Sequence, residues 1–179
     1  MKDNKDSNDN VLVGIILGSA SDLELAKKAE DVLKTFGVKY EVGIASAHRT
    51  PEDVVKYSQL AAARGVKVII AVAGLSAALP GVIAAHTNLP VIGVPAGGAS
   101  LNGMDALLSI AQMPPGVPVA SVGIDGAKNA ALMAVRILSL LDEKISLELE
   151  RWVENASSEV RKSREKITMP RVPDDVFKG

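Results

Sequence analysis

Two short polar segments hold most of the residue types that can do chemistry: Gly18-Ser19-Ala20-Ser21-Asp22 and Ser46-Ala47-His48-Arg49. In the first, a glycine permits a sharp turn and two serines offer hydroxyl donors. If a helix starts there, its exposed amides and dipole make the segment a seat for an anion. The plainer reading is a capping arrangement, with Ser19 over Asp22 and no ligand, and for that segment taken alone it is the better one. The second segment is more informative. Histidine titrates near neutral pH and suits proton transfer at carbon or oxygen. Arginine beside it is a natural partner for phosphate or carboxylate. The chain has only two histidines, and His86, in or just after an alanine-rich helix, reads as a packing or surface residue. Two further stretches, Gly74 to Gly81 and Pro95 to Gly103, read as pocket walls whose small side chains allow close approach, and Gln112-Met113-Pro114 reads as a turn.

Several function classes drop out on composition. The 179 residues contain no cysteine, which removes disulfides, thiolate metal sites and cysteine nucleophiles and fits a reducing cytoplasm. No acid/histidine cluster has metal-ligand spacing, so no metal is expected. The net charge is −1 and no basic run is dense enough to follow a phosphate backbone, which argues against nucleic acid. Neither Gly-x-Gly-x-x-Gly nor the Walker pattern occurs, so no dinucleotide or nucleoside triphosphate is indicated. Residues 1–10 are polar, without the apolar core of a signal peptide, and read as a disordered lead. The longest apolar stretch, Val66 to Ala85, is broken by Gly74, Ser76, Pro80 and Gly81, so it reads as strand, loop and helix, and no membrane partner is expected.

The elements that must position these segments alternate regularly. Val11 to Leu17 is a continuous apolar run, as in a strand buried on both faces. Leu25, Ala26, Ala29, Val32 and Leu33 recur at helical spacing between Leu23 and Phe36, and Gly37 stops the helix. Tyr40 to Ala45 is a second strand. Thr50-Pro51-Glu52-Asp53 then supplies a threonine N-cap, a proline at the first helical position and first-turn acids, for a helix to about Arg64. Strands at Val66–Ala73, Leu89–Val94 and Val117–Val122 alternate with helices at Gly81–His86, Leu101–Gln112 and Asn129–Leu141. Five strand–helix repeats predict a three-layer αβα sandwich around a parallel, flavodoxin-like sheet spanning residues 11–141. In such a sheet ligands collect beyond the carboxyl ends of the strands, where all four candidate loops fall.

Residues 142–179 differ in kind. From Asp142 to Lys166 the chain is strongly charged, yet Ile145, Leu149, Trp152, Val153, Ala156 and Val160 form an apolar stripe at helical spacing. This C-terminal helical arm either packs on its own domain or lies over a neighbouring subunit, and Pro170 and Pro173 bound it.

Taken together and in order, the segments Gly18-Ser19-Ala20-Ser21-Asp22, Ser46-Ala47-His48-Arg49-Thr50-Pro51, Leu79-Pro80-Gly81, Pro90-Val91-Ile92-Gly93-Val94-Pro95, Leu101-Asn102-Gly103-Met104-Asp105 and Ser109-Ile110-Ala111-Gln112-Met113-Pro114 carry a family resemblance. Over Val11 to Leu141 the sequence resembles the 5-(carboxyamino)imidazole ribonucleotide mutase family of de novo purine biosynthesis. The resemblance implies an isomerase that moves a carboxylate from the exocyclic nitrogen to ring carbon 4 of an aminoimidazole ribonucleotide. The carbamate first loses carbon dioxide, which the pocket retains and the ring carbon recaptures, without a cofactor. It implies that His48 shuttles the proton at the ring carbon, that Asp22 holds the ribose hydroxyls and that Ser19, Ser46 and Arg49 serve the phosphate. Gly18, Ser21, Ala47, Gly74, Ser76 and Leu79 complete the expected substrate site. It also implies a homo-oligomer, an octamer with sites at subunit contacts.

The third loop departs from that family. Its usual Ala-Gly-Gly-Ala-Ala-His-Leu-Pro-Gly is here Ala73-Gly74-Leu75-Ser76-Ala77-Ala78-Leu79-Pro80-Gly81, with Ala78 in the histidine's place. Ser76 is similar to a serine of the related animal-type carboxylases, which take free carbon dioxide, although those carry lysine at the position of Arg49. Direct carboxylation and a non-catalytic ribonucleotide-binding paralogue therefore stand as alternatives. A receiver-type signalling module is disfavoured, because no acidic pair follows the first strand.

Overall fold

The computed structural model describes residues 11–98 and 100–177; the expected disordered lead, residues 1–10, lies outside the described residues. Five parallel strands alternate with helices: β1 (Val13–Leu17), α1 (Leu23–Thr35), β2 (Tyr40–Ile44), α2 (Pro51–Ala61), β3 (Val68–Ala73), α3 (Leu79–Ala84), β4 (Val91–Pro95), α4 (Met104–Ala111), β5 (Ala120–Ser121) and α5 (Ala127–Ser139), followed by α6 (Glu143–Ser163). The strands lie in the order β2-β1-β3-β4-β5, all pairs parallel. That is the doubly wound order in which the chain reverses direction between β1 and β3, and a crevice opens at the reversal.

The layers follow from the two-residue period of the strands. Val13, Ile15 and Leu17 of β1 and Val68, Ile70 and Val72 of β3 face α1 and α5, where alanines and leucines close a buried core. Ile16 and then Ile69, Ala71 and Ala73 face the other way, onto Val54 and Ala61 of α2, Leu79 and Ile83 of α3 and Ala106 and Ile110 of α4. Each branched side chain so buried contributes roughly 1.5–3 kcal/mol. β1, β3 and β4 are buried along their whole length, whereas β2 is the half-open edge.

Several expected boundaries move, for identifiable reasons. β5 keeps only Ala120 and Ser121, paired to Ile92 and Gly93, because Pro118 brings no N–H to an earlier ladder. α3 begins at Leu79 instead of Gly81, since Pro80 fits a first helical turn; His86 is left beyond its end. α4 begins at Met104 instead of Leu101, because Asn102 (φ 49°) and Gly103 (φ 84°) turn left-handed. α5 starts two residues early, at Ala127, and α2 stops at Ala61.

Gly93 on β4 shows how tightly α3 and α4 are seated. A Cβ there would lie 2.4 Å from Ile110 Cγ2, 3.1 Å from Val119 Cγ1 and 3.3 Å from Pro80 Cβ. None of these is the end of a flexible chain. Gly93→Ala is expected to destabilise the fold by about 1–3 kcal/mol, read as a lower urea midpoint with an unchanged slope.

The first half of α6 packs on its own domain. Asp142 caps it, accepting from the amides of Lys144 (2.9 Å) and Ile145 (3.2 Å). Ile145 is buried in the α1/α5 core with Leu149 against it, and the Trp152 ring lies 6.3 Å from that of Phe36. Past Trp152 the stripe leaves the domain: Val153 and Val160 are 40% and 65% exposed. The helix ends at Ser163, a 3-10 turn follows at Arg164–Lys166, and Arg171 and Phe177 fold back onto Arg164. Among the described residues no helix is long and apolar enough to cross a membrane.

Candidate active site

The loops after β1, β2, β3 and β4 enclose one open cavity of about 550 Å³ at the carboxyl edge of the sheet. Sheet-like pairing runs on past the strand ends and sets the loops side by side: Gly18 N donates to Val72 O (3.0 Å), Ala45 N to Leu17 O (2.9 Å) and Ala96 N to Ala73 O (2.9 Å).

The first loop turns at Gly18 into a short 3-10 helix, Ala20–Asp22, that leads straight into α1. The Ser19 hydroxyl accepts from Ser21 N (3.4 Å), and Asp22 N donates to the Ser19 carbonyl (3.2 Å). The capping expected of Ser19 therefore falls on Ser21, and the Ser19 O–H remains available to donate to an anion at the helix start. Ser21 donates its own hydroxyl to Asp22 Oδ1 at 3.2 Å. Burial raises the Asp22 carboxyl from its ordinary value, while the Ser21 hydroxyl and the Ser19 backbone pull it down. The carboxylate faces the cavity, where its remaining acceptor capacity suits a diol.

The second loop is organised by Ser46. Its hydroxyl oxygen accepts from Arg49 N (3.3 Å) and Arg49 Nε (3.4 Å). Its amide donates to Thr50 Oγ1 (3.0 Å), and its carbonyl accepts from Thr50 N (2.9 Å). Thr50 therefore closes the loop and does not cap α2 with its side chain as expected; the capping geometry is lost because the hydroxyl is turned back to Ser46. Arg49 Nη2 reaches across to the Gly18 carbonyl at 3.1 Å, tying the second loop to the anion seat of the first. The guanidinium keeps its other N–H donors for an anion. His48 is exposed on the turn between them, and among the described residues its ring has no hydrogen-bond partner. Nothing among the described residues selects its tautomer, so a bound substrate is what would orient it.

The third loop is strained. Leu75 (φ 53°) and Ala77 (φ 20°) are non-glycine residues at positive φ, a cost of roughly 1–3 kcal/mol each that the surroundings must hold in place. An Ala77 N to Gly74 O bond (3.0 Å) and Ser109 Oγ donating to Ser76 O (2.9 Å) do so. Ala78 presents only a methyl to the cavity. In the fourth loop Gly97 N donates to Asp125 Oδ1 at 2.8 Å.

All eleven residues named from the sequence line this cavity: Gly18, Ser19, Ser21, Asp22, Ser46, Ala47, His48, Arg49, Gly74, Ser76 and Leu79. So do Leu75, Ala78 and the Ala96–Gly98 wall. Asp125 escaped the sequence reading. Asp125-Gly126 announces a turn, but nothing in the order of residues connects it to a glycine 28 positions earlier. His86 is elsewhere, exposed in a second cavity with Gln59 and Asn88, its Nδ1 paired to Val82 O at 2.8 Å.

The pattern described as AIR carboxylase matches residues 12–159. The chain belongs to the AIR carboxylase family. Within that family it is 57% identical over 143 residues to the N5-carboxyaminoimidazole ribonucleotide mutase of Pyrococcus abyssi, covering 80% of this chain and 82% of that protein. It is 52% identical over 158 residues to the protein of the same name from Bacillus subtilis, covering 87% and 98%. The crystal structure of Treponema denticola PurE superposes with a TM-score of 0.81 at 36% identity, covering 88% of this chain and 99% of that one. The AIR carboxylase match ends in the second half of α6, so the family pattern includes the part of the arm that docks on α5 and α1.

Proposed function

We propose that this chain is an N5-carboxyaminoimidazole ribonucleotide mutase of purine biosynthesis. The observation that carries the reading is the convergence of His48 with an anion seat made by Ser19, Ser46 and Arg49 in one cavity, in a chain 57% identical to a protein of that name. Ser19, Ser46 and Arg49 bind the 5′-phosphate, and the carboxylate of Asp22 accepts from the ribose hydroxyls. Gly18, Ser21, Ala47, Gly74, Ser76 and Leu79 shape the rest of the substrate site. That grip fixes the imidazole ring beside His48.

The carbamate N–C bond breaks to release carbon dioxide, its electron pair stays on the exocyclic nitrogen, and a proton completes the amine. Ring carbon 4, made nucleophilic by that amine, attacks the retained carbon dioxide. The proton on carbon 4 then leaves, restoring the aromatic ring. His48 supplies the first proton and accepts the second, so the enzyme ends as it began and no cofactor takes part. The small walls of loops three and four keep carbon dioxide near the ring.

A direct carboxylation is the second reading, favoured by Ser76 and by the bare methyl of Ala78 in the third loop. Absorbance assays separate the two. Turnover of the carbamate substrate in carbon-dioxide-depleted buffer is expected. Turnover only from aminoimidazole ribonucleotide with bicarbonate would overturn the mutase in favour of the carboxylase. Failure with both donors, with ribonucleotide still bound, would leave a binding paralogue.

The working form under this reading is a homo-oligomer, an octamer, acting in the cytoplasm. The exposed half of α6 beyond Trp152 supports an arm that reaches a neighbouring subunit, and light scattering gives the subunit count.

A further inference from the structure

The wall made by Ala96, Gly97 and Gly98 has no regular element behind it, yet beyond the Ala96 N to Ala73 O bond three further contacts fix it. Asp125 Oδ1 accepts from Gly97 N at 2.8 Å. The Asp125 amide donates to Pro95 O, also at 2.8 Å. On the wall's other flank Gly103, at φ 84°, comes so near that a Cβ on it would lie 3.0 Å from Gly97 Cα and 3.2 Å from Ala96 O. Asp125 thus holds both ends of the turn that leaves β4, through its backbone at Pro95 and its side chain at Gly97.

Asp125 sits at φ 57° to do this, a conformation in which a side chain other than glycine, asparagine or aspartate is costly. Its neighbour Gly126 is confined as well, since a Cβ there would lie 2.7 Å from Gly123 O. Gly97 is matched to it: a Cβ on Gly97 would meet Asp125 Oδ2 at 2.7 Å. The carboxylate therefore fills the space behind the wall while the wall's front lines the cavity. A strained residue kept beside a cavity, whose side-chain bond among the described residues goes to the cavity wall, is a positioning device.

We propose that Asp125 is a positioning residue for the reaction: it sets the depth of the Ala96–Gly98 wall, and with it the fit of the substrate's ring end. The proposal rests on the ribonucleotide reading of the cavity, and wild-type turnover of the carbamate substrate tests that reading separately.

Asp125→Gly is the diagnostic variant, because glycine relieves the positive φ while deleting the carboxylate. A purely structural role predicts a lower melting temperature with the KM of wild type. Positioning predicts an unchanged or higher melting temperature, faster amide exchange at Gly97 and a KM raised about tenfold, the scale of one lost charge-assisted hydrogen bond. Asp125→Asn keeps an acceptor and tolerates the same φ, so its KM is expected within about threefold of wild type. Gly97→Ala should raise KM in the wild-type background and do so far less with Asp125→Gly, because the clash is with the carboxylate. A wild-type KM and unchanged Gly97 exchange in Asp125→Gly would overturn the proposal, even in a fully active enzyme.

Discussion

His48→Asn should lower kcat by about 10²–10⁴-fold, the range a positioned general acid–base supplies, and leave KM within a fewfold. Asparagine nearly preserves size and polarity but cannot carry the proton between the exocyclic nitrogen and ring carbon 4. Because the His48 ring has no hydrogen-bond partner among the described residues, removing it strands no buried group, and the melting temperature should not move. That separation makes the experiment decisive. A kcat within threefold of wild type would remove His48 from the chemistry; equal losses in kcat and stability would make it a structural residue. Hydrogen–deuterium exchange at ring carbon 4, followed by NMR with aminoimidazole ribonucleotide alone, isolates the second proton transfer and should fall in parallel with kcat.

Arg49→Ala should raise KM by about 10–100-fold, with a smaller effect on kcat, as expected when a charge-assisted contact to a phosphate is lost. The side chain also joins the two loops through Ser46 Oγ and Gly18 O, so part of the loss is disorder of the seat. A nucleoside lacking the 5′-phosphate separates these contributions. Wild type should strongly prefer the nucleotide, and the preference should collapse in Arg49→Ala. If nucleotide and nucleoside lose equally, Arg49 shapes the loop and does not bind phosphate. Arg49→Lys keeps the charge but not the planar fork and should fall between the two.

Much of this arrangement is legible in residue order, because a parallel sheet imposes its own grammar. Buried strands are continuous apolar runs, and each must be followed by a loop at the same edge, so loops far apart in sequence become neighbours. That logic reaches the sheet, the helices and the loops that line the cavity without any distance being known, and the family resemblance picks the eleven site residues within them. It fails where one side chain has two possible uses. Thr50 looks like a helix cap, and only the geometry shows its hydroxyl turned back to Ser46. Asp125 looks like a turn residue, and its bond to Gly97 is a tertiary fact with no periodicity to announce it. The left-handed residues Leu75 and Ala77 are invisible for a related reason: the usual signal for such a conformation is glycine, and neither is one.

The contact between Trp152 and Phe36 gives the protein an optical channel of its own. Trp152 is the chain's single tryptophan, placed where α6 rests on the end of α1. Its emission follows the lifting of the arm, while far-ultraviolet ellipticity, summed over the helices and the sheet, follows the whole domain. Where the two denaturation curves coincide, arm and domain melt as one cooperative unit; where fluorescence leads, the arm detaches while the sheet and its loops are still folded.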